Sequence, residues 1–190
     1  MLDGADGSGT STQLALLENV EKTFEPTDGP IGKIIRLALK KEPPLTPIAL
    51  ALLFTADREE HLHNFIIPRC KAGLKVVSDR YVISSLVYQG LVCDEEYVAR
   101  INNFLQPEMI IFLDIAPEKS FERINSRGKD KEIFEVLEFQ KKVYERYKKY
   151  LGILEKEGVT IKIIDATQSI SDIHEQMKHL IFGRGKQNKR

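Results

Sequence analysis

A glycine-rich stretch near the start of the sequence, from Asp3 to Gln13, constrains the fold more than any other feature. It reads D-G-A-D-G-S-G-T-S-T-Q, with the glycine spacing of the phosphate-binding pattern G-x-x-x-x-G-K-[ST]. Glycines let successive backbone N–H groups converge on an anion, because no Cβ atom blocks its approach. The leucines that follow predict a helix directly after the loop. We therefore predict a nucleotide-binding loop made of Gly4, Ala5, Asp6, Gly7, Ser8, Gly9, Thr10, Ser11 and Thr12.

Thr10 occupies the position at which this pattern has a lysine. Threonine carries no charge and cannot reach the terminal phosphates of a nucleotide. Ser11 keeps the hydroxyl that is expected to ligate Mg²⁺. The loop by itself therefore leaves two interpretations open, a nucleotide site and an ordinary glycine-rich turn.

Short β-rich runs alternate with longer helical stretches along the chain, which is typical of a parallel α/β sheet. The predicted strands are 20–24, 75–78, 109–113 and 160–164. The predicted helices are 11–19, 32–41, 47–71, 94–104, 117–126, 133–156 and 169–182. This pattern predicts an α/β domain with its ligand site at the carboxyl edge of the sheet.

The ends of three predicted strands support a site at that edge, because each is followed by an aspartate: Asp79, Asp114 and Asp165. We expect these aspartates to face one crevice. The first crossover is short, since a helix over 12–19 spans about 12 Å and parallel crossovers usually take a dozen residues or more. We therefore expect further residues before Asp3 and near 18–20.

Composition argues against several classes of function. The 190 residues are 42% hydrophobic, which suits one compact domain. Lys+Arg and Asp+Glu both total 28, so no net charge favours nucleic acid or a membrane surface. No apolar run approaches the roughly 20 residues of a membrane span. Cys70 and Cys93 lie far apart without metal-type spacing, and we expect a cytoplasmic protein without nucleic-acid or membrane partners.

Two segments in the first half carry candidate binding residues. Arg36 follows a loop rich in proline and glycine and could grip a phosphate, although a solvated surface arginine is an equal alternative. Phe54 and Arg58 lie four residues apart in one predicted helix, so they could stack on a base and bond its edge. Phe54 alone is more typical of a core residue, and Arg58 could belong to a local ion pair.

The segment from Ser78 to Gly90 is a second strong signal. At a strand end, Asp79 offers a carboxylate for Mg²⁺ or its waters, and Arg80 offers a planar cation for phosphate. Tyr88 and Gln89 add an aromatic wall and an amide that could read a base or a sugar.

A basic cluster around Gly128 lies between two predicted helices and consists of Arg123, Arg127, Lys129 and Lys131. Such a segment can close over phosphates as a lid and neutralise charge during phosphoryl transfer. A charge run is usually a solvated loop, so the lid is favoured only because the phosphate-binding loop is present.

Together these residues resemble the thymidylate kinase family, nucleoside-monophosphate kinases of the phosphate-loop class. The resemblance rests on D-G-A-D-G-S-G-x-S-T-Q, E-P-T-D-G-P-I-G-x-x-I-R, F-x-A-D-R-x-x-H, S-D-R-Y-x-x-S-S-x-x-Y-Q-G and R-x-x-x-R-G, which span nearly the whole chain. It implies one domain over 1–190 with a five-stranded parallel sheet surrounded by helices and a lid over about 123–135. Four of the seven residues of the tail over 184–190 are basic, and we expect a solvated, frayed end there and not a nucleic-acid arm. The resemblance also implies transfer of the γ-phosphoryl group of ATP to dTMP, with Mg²⁺ as cofactor and a homodimer as the assembly.

The resemblance implies a role for individual residues as well. Arg36 and Arg80 would hold the dTMP phosphate, Asp6 the 3′-hydroxyl side of the deoxyribose, and Asp79 with Ser11 the Mg²⁺ ion. Around the nucleoside, Phe54 would stack on thymine and Arg58 would bond its edge. The remaining implied contacts are Ser84, Tyr88 and Gln89 for the substrate and Gln168, at the end of the segment 165–168, for adenine.

The sequence departs from the family pattern at Thr10, and also at Phe24 and Ile133, where many members have arginine. Without the loop lysine, the cation that stabilises the transition state would come from the lid, with Arg123 and Arg127 as the first candidates. Two other interpretations remain: a nucleotide-binding protein with weak or lost turnover, and a kinase for another deoxynucleotide or a deoxynucleoside. The arginines Arg36 and Arg80 argue against a nucleoside, because they provide for a phosphate already present.

Overall fold

A five-stranded parallel sheet forms the centre of the computed structural model, which describes residues 1–40, 44–126 and 133–183, with side chains from 137 onward in the last range. The strands are β1 (Leu2–Gly4), β2 (Glu21–Phe24), β3 (Val76–Asp79), β4 (Met109–Asp114) and β5 (Thr160–Asp165). Their order across the sheet is β2-β3-β1-β4-β5, and all neighbours run parallel. The predicted five-stranded parallel α/β fold is confirmed.

Nine α-helices lie along the described part of the chain: α1 (Thr10–Leu16), α2 (Pro30–Leu39), α3 (Pro47–His61), α4 (Ile67–Lys71), α5 (Val82–Tyr88), α6 (Glu95–Ile101), α7 (Pro117–Asn125), α8 (Ile133–Lys156) and α9 (Ile170–Phe182). Their starts follow the sequence, because the side chains of Thr46, Asp94 and Ser169 cap α3, α6 and α9. No helix in the described ranges is both long and apolar enough to cross a membrane.

Two helix predictions need correction. The predicted helix over 47–71 is interrupted by a π-helical turn at Leu62–Ile66, which precedes Pro68. Proline lacks the N–H that a regular turn needs, and its ring displaces the carbonyl four residues earlier, so the backbone widens there. Helix α5 was not predicted at all, because its β-branched and aromatic residues have low helix propensity.

The sheet separates two hydrophobic clusters, and β4 shows why. Ile110 and Phe112 belong to a cluster that includes side chains of α5, α6 and α8, whereas Ile111 and Leu113 belong to one that includes side chains of α1 and α9. This alternation is the two-residue period of a strand that is buried on both faces. Helices therefore cover both faces of the sheet, and its carboxyl edge remains for a ligand site.

The first crossover connection runs without a gap from β1 through α1 to β2 in this structure. Strand β1 has three residues and includes Asp3 and Gly4, which the sequence pattern assigned to the loop. From there α1 and residues 17–20 carry the chain past β3 to β2 at the edge of the sheet. The expected additional residues before Asp3 and near 18–20 stay a prediction.

Candidate active site

The glycine-rich loop leaves the carboxyl end of β1 and enters α1, as the sequence pattern predicts. Gly7 and Gly9 adopt φ values of +83° and +98°, a backbone conformation that other residues rarely adopt. A Cβ atom on Gly4 would lie 2.8 Å from the carbonyl oxygen of Leu113 in β4. These glycines therefore allow both the curl of the loop and its close approach to the sheet.

Helix α7 holds this loop from one side. The Ser120 hydroxyl donates to the backbone carbonyl of Asp6, and the Arg123 guanidinium donates to the backbone carbonyls of Gly7 (3.3 Å) and Ala166 (2.9 Å). Arg123, predicted as a lid cation, thus lies between the loop and the segment that follows β5. Its charge is close to the loop even though Thr10, the first residue of α1, is buried and uncharged.

Ser11 and Asp79 meet where the metal ion was predicted. The Ser11 hydroxyl donates to Asp79 Oδ2 at 2.7 Å. The other carboxylate oxygen of Asp79 is buried and has no hydrogen-bond partner among the described residues. A hydroxyl and a carboxylate with a free oxygen are ligands that suit Mg²⁺, so the pair fits the predicted ion.

Arg80 is held in an unusual backbone conformation directly after β3. Its φ is +70°, which is uncommon for a residue other than glycine and is stabilised here by surrounding contacts. The Arg80 backbone N–H donates to the Leu2 carbonyl (2.9 Å), and the Arg80 carbonyl accepts from the Ser78 hydroxyl (2.8 Å). The backbone therefore fixes the direction in which the guanidinium leaves the sheet.

The Arg80 guanidinium then bridges the loop and α5. It donates to Asp6 Oδ1 at 2.6 Å and to the Ser84 hydroxyl at 3.2 Å, and its central carbon lies 5.1 Å from the centre of the Tyr88 ring. Tyr88 is itself packed against Tyr147 of α8, with ring centres 6.2 Å apart. The cation predicted to bind a phosphate is thus oriented on three sides by protein groups.

A cavity of about 210 Å³ opens beside this guanidinium. Seven of the residues predicted to bind the substrate line it: Asp6, Phe54, Arg58, Arg80, Ser84, Tyr88 and Gln89. They come from the loop, α3, the end of β3, α5 and the 3₁₀ turn at Gln89–Leu91. The structure therefore brings together residues that are up to 83 positions apart in the sequence, from Asp6 to Gln89.

Arg58 is the most deeply buried of these residues, with 1% of its surface exposed. Its guanidinium donates twice to Glu25 Oε2 (2.9 and 2.7 Å), and it also donates to Asn102, to the carbonyl of Tyr81 and to Ser85. Arg58 does form an ion pair, but its partner is Glu25 after β2 and not a residue of the local segment, so the local alternative is wrong. Arg58 still lines the cavity, so this ion pair is compatible with a place in the binding site.

Arg36 lies elsewhere. Its guanidinium donates to the carbonyls of Thr27 and Pro26 and to Asp28 and stacks over Phe24, and it does not line the cavity. These contacts, together with the Asp57 carboxylate that accepts from Thr27, brace the loop between β2 and α2. The predicted contact of Arg36 with a phosphate stays a prediction.

Some of the residues predicted to act on ATP, the phosphoryl donor, lie outside the described residues. The residues Arg127, Lys129, Lys131 and the tail over 184–190 lie there, as do residues 127–132 of the expected lid. Gln168 is exposed and accepts from the Gln176 amide at 2.8 Å, next to the Ala166 carbonyl that Arg123 contacts. The strand-end aspartates share the carboxyl edge, where Asp114 pairs in register with Asp165.

Sequence reasoning missed four residues that support this site: Asp3, Glu25, Ser120 and Tyr147. Asp3 lies inside β1 and Glu25 directly follows β2, and both carboxylates are buried, which the sequence around them does not indicate. Ser120 and Tyr147 lie in helices whose buried faces became known only from the packing. No local pattern distinguishes either residue from an ordinary core or surface position.

The glycine-rich loop, the Ser11–Asp79 pair and the adjoining arginine-lined cavity are features of a kinase of the phosphate-loop class. A model of one family, thymidylate kinase, matches residues 2–177, and the chain belongs to that family. It is 39% identical to the probable thymidylate kinase of Thermococcus onnurineus, over 95% of each chain. It is also 40% identical to the probable thymidylate kinase of Thermococcus kodakarensis, over 95% of each chain. It is 39% identical to the putative thymidylate kinase of Treponema pallidum, over 94% of this chain and 92% of that one.

Proposed function

We propose that this chain transfers the γ-phosphoryl group of ATP to dTMP, giving dTDP. The observation that carries the proposal is the 2.6 Å contact between Arg80 and Asp6. Asp6 belongs to the loop that would hold the phosphates of ATP, and Arg80 lines the pocket that would hold the acceptor. The two sites therefore meet at one ion pair, where donor and acceptor phosphates have to meet for transfer.

The acceptor pocket offers the groups that a thymine nucleotide needs. Phe54 is half-buried in the wall of the cavity and presents a ring for stacking on the base. Arg58 has five N–H donors, and its bonds to protein partners leave one Nη1–H for the edge of the base. Gln89 adds an amide that could form hydrogen bonds, and the ring of Tyr88 would form the wall of the pocket next to the sugar.

On the donor side, the backbone of residues 4–12 would cradle the phosphates, and Arg123 would supply positive charge close to Gly7. Ser11 and Asp79 would hold Mg²⁺, which neutralises phosphate charge when it is bound. Arg80 would release Asp6 in part and donate to the acceptor phosphate, keeping it in line with ATP. The lid residue Arg127 is proposed as a second transition-state cation.

A nucleotide-binding protein without turnover is not favoured, because the acceptor pocket is complete around Arg80 even though Thr10 replaces the loop lysine. A deoxynucleoside kinase is not favoured either, since the Arg80 guanidinium lines the cavity and provides a cation for a phosphate already present on the acceptor. Family membership and the names of the relatives point to the same reaction.

The test is acceptor-dependent ADP release, measured with dTMP, dCMP, dGMP, thymidine and no acceptor. We expect dTMP to give the highest kcat/KM and thymidine to be poor. Phe54→Ala should raise the KM for dTMP without changing the KM for ATP. Equal rates with and without acceptor would overturn the proposal. Equal use of thymidine and dTMP would overturn the role of Arg80 as the group that binds the acceptor phosphate, which we call the phosphate clamp.

We also propose that two copies of the chain associate through α2 and α3. Four large apolar side chains on these helices are about half exposed: Ile34 (48%) and Leu37 (48%) on α2, and Ile48 (51%) and Leu52 (44%) on α3. A shared apolar surface on two neighbouring helices is typical of an interaction site. A second copy of this chain is the partner that the family resemblance implies.

Light scattering after size-exclusion chromatography tests this assembly. We expect a mass of two chains for the unchanged protein and of one chain for Leu37→Asp, whereas Leu105→Asp, at an exposed leucine outside this surface, should leave the mass unchanged. A one-chain mass for the unchanged protein would refute the dimer.

A further inference from the structure

Asp3 is a fully buried carboxylate directly beneath the phosphate clamp, and the proposed reaction does not use it. Its Oδ1 accepts from the backbone N–H of Gly4 (2.8 Å), from the Tyr147 hydroxyl (2.7 Å) and from the Ser84 hydroxyl (3.0 Å). Its Oδ2 lies 2.9 Å from the same Ser84 oxygen. Neighbouring groups from β1, α5 and α8 therefore all donate to this one carboxylate.

The carboxylate fixes the direction of the hydrogen bonds around it. Ser84 has a single hydroxyl proton, and an ionised carboxylate can only accept, so that proton points at Asp3. The lone pairs of Ser84 then remain for the N–H of Arg80, which can only donate. A chain of defined polarity thus runs from Arg80 through Ser84 to Asp3, and Tyr147 anchors its far end on α8.

We propose that Asp3 is the positioning residue of the phosphate clamp, which through Ser84 holds the Arg80 guanidinium in the orientation that receives the acceptor phosphate. The inference rests on the proposed function, because it assigns the second partner of an arginine that the reaction requires. Asp6, the first partner, is exposed, so a phosphate can replace it. Asp3 is fully buried, so its hydrogen bond with Ser84 would remain when the phosphate replaces Asp6.

The cost of burying Asp3 supports a functional reason for its presence. Burial raises the pKa of the Asp3 carboxyl to about 6, although the Arg80 guanidinium and the hydrogen bonds of Tyr147, Gly4 and Ser84 oppose that shift. The ionised form is therefore disfavoured in the folded protein relative to water. A group kept only for stability would not be expected to carry this cost.

The substitution Asp3→Asn tests the inference. The amide keeps the shape, but its NH₂ group donates toward Ser84 and reverses the polarity of the chain. We expect kcat/KM for dTMP to fall at least tenfold, the KM for ATP to stay within about twofold, and the melting temperature not to fall. A loss of activity that appears equally in the KM for ATP, or that follows a lower melting temperature, would instead mean a structural role.

Two further measurements keep the test decisive if Asp3→Asn folds poorly. Tyr147→Phe removes the anchor on α8 and should lower kcat/KM for dTMP several-fold, whereas Tyr150→Phe, a buried tyrosine of the same helix that bonds to Glu95, should not. Because Asp3 acts through Ser84, the effects of Tyr147→Phe and Ser84→Ala should not add. Unchanged kcat/KM in Tyr147→Phe, or full additivity, would overturn the inference, and an inactive unchanged protein would instead refute the proposed function.

Discussion

The buried ion pair between Arg58 and Glu25 gives the sharpest prediction about stability. Their side chains are 1% and 3% exposed, and the guanidinium donates to Glu25 Oε2 at 2.7 and 2.9 Å. Replacing Glu25 with glutamine keeps the shape but leaves the arginine charge without its counter-ion at a position where only 1% of the Arg58 surface is exposed. Removing one partner of a buried pair costs about 3–5 kcal/mol. We expect Glu25→Gln to lower the free energy of unfolding by about that amount.

The same strand supplies a matched control. Glu21 begins β2 and pairs with Arg69 at 2.9 Å, but these two side chains are 40% and 33% exposed. Water screens such a pair, and exposed pairs contribute about 0–1 kcal/mol. Glu21→Gln should therefore cost at most about 1 kcal/mol. Both variants remove one carboxylate from a glutamate–arginine pair. Glu25 Oε1 also lies 3.0 Å from His61 Nδ1, so the two sites differ in burial and in this second contact.

Urea unfolding followed by circular dichroism measures both free energies. The native spectra of the two variants should match that of the unchanged protein, and the urea dependence of the free energy should stay the same. A loss of equal size in Glu25→Gln and Glu21→Gln would refute the reasoning, because desolvation of Arg58 would then contribute nothing. Rescue of Glu25→Gln by Arg58→Met, which removes the unpaired charge, would support it.

Three other predictions concern charge at the site. Arg80→Ala should lower kcat/KM for dTMP by one to two decades with an unchanged circular dichroism spectrum, because charged hydrogen bonds are worth about 1.5–3 kcal/mol each. Thr10→Lys should raise kcat in the ADP-release assay by more than it changes the KM for ATP, because a lysine there would act mainly in the transition state. The pKa of Asp3 is raised to about 6 from 3.8, so its contribution to stability is present below pH 4 and is lost as pH rises to 6. Relative to Asp3→Asn, the unchanged protein should therefore lose about 3 kcal/mol of unfolding free energy between pH 3 and pH 7.

The sequence was enough for four of the five strands and for the placement of the loop, because both depend on local patterns. Apolar runs that alternate with helical stretches define parallel strands, and the glycines at positions 4, 7 and 9 have conformations or contacts that other residues do not tolerate. The short strand β1 and helix α5 escaped prediction. Three residues give too little periodicity for a strand, and Val82–Tyr88 has a β-like composition that tertiary packing overrides.

Within the site, the sequence identified which residues line the pocket but not what holds them. Arg58 and Phe54 are four residues apart, so their shared face could be inferred. The partner of Arg58 could not, because Glu25 is 33 residues away and meets it only when β2 and α3 pack. Tyr147 is 144 residues from Asp3, and no periodicity in either segment indicates that they touch. Long-range polar contacts of this kind depend on the assembled fold.

The two arginines of the pocket differ in what a substrate has to displace. Arg58 is paired with a buried carboxylate and is already oriented, so a base can use its remaining N–H without breaking the pair. Arg80 has one exposed partner, since Asp6 is 48% exposed, and one buried path through Ser84 to Asp3. In the proposed reaction, an incoming phosphate would therefore replace a screened ion pair worth about 0–1 kcal/mol with charged hydrogen bonds worth about 1.5–3 kcal/mol each. Because the hydrogen bonds from Arg80 through Ser84 to Asp3 would remain, the guanidinium would not need to be reoriented. Most of the binding free energy gained with the phosphate would then be available to distinguish dTMP from thymidine.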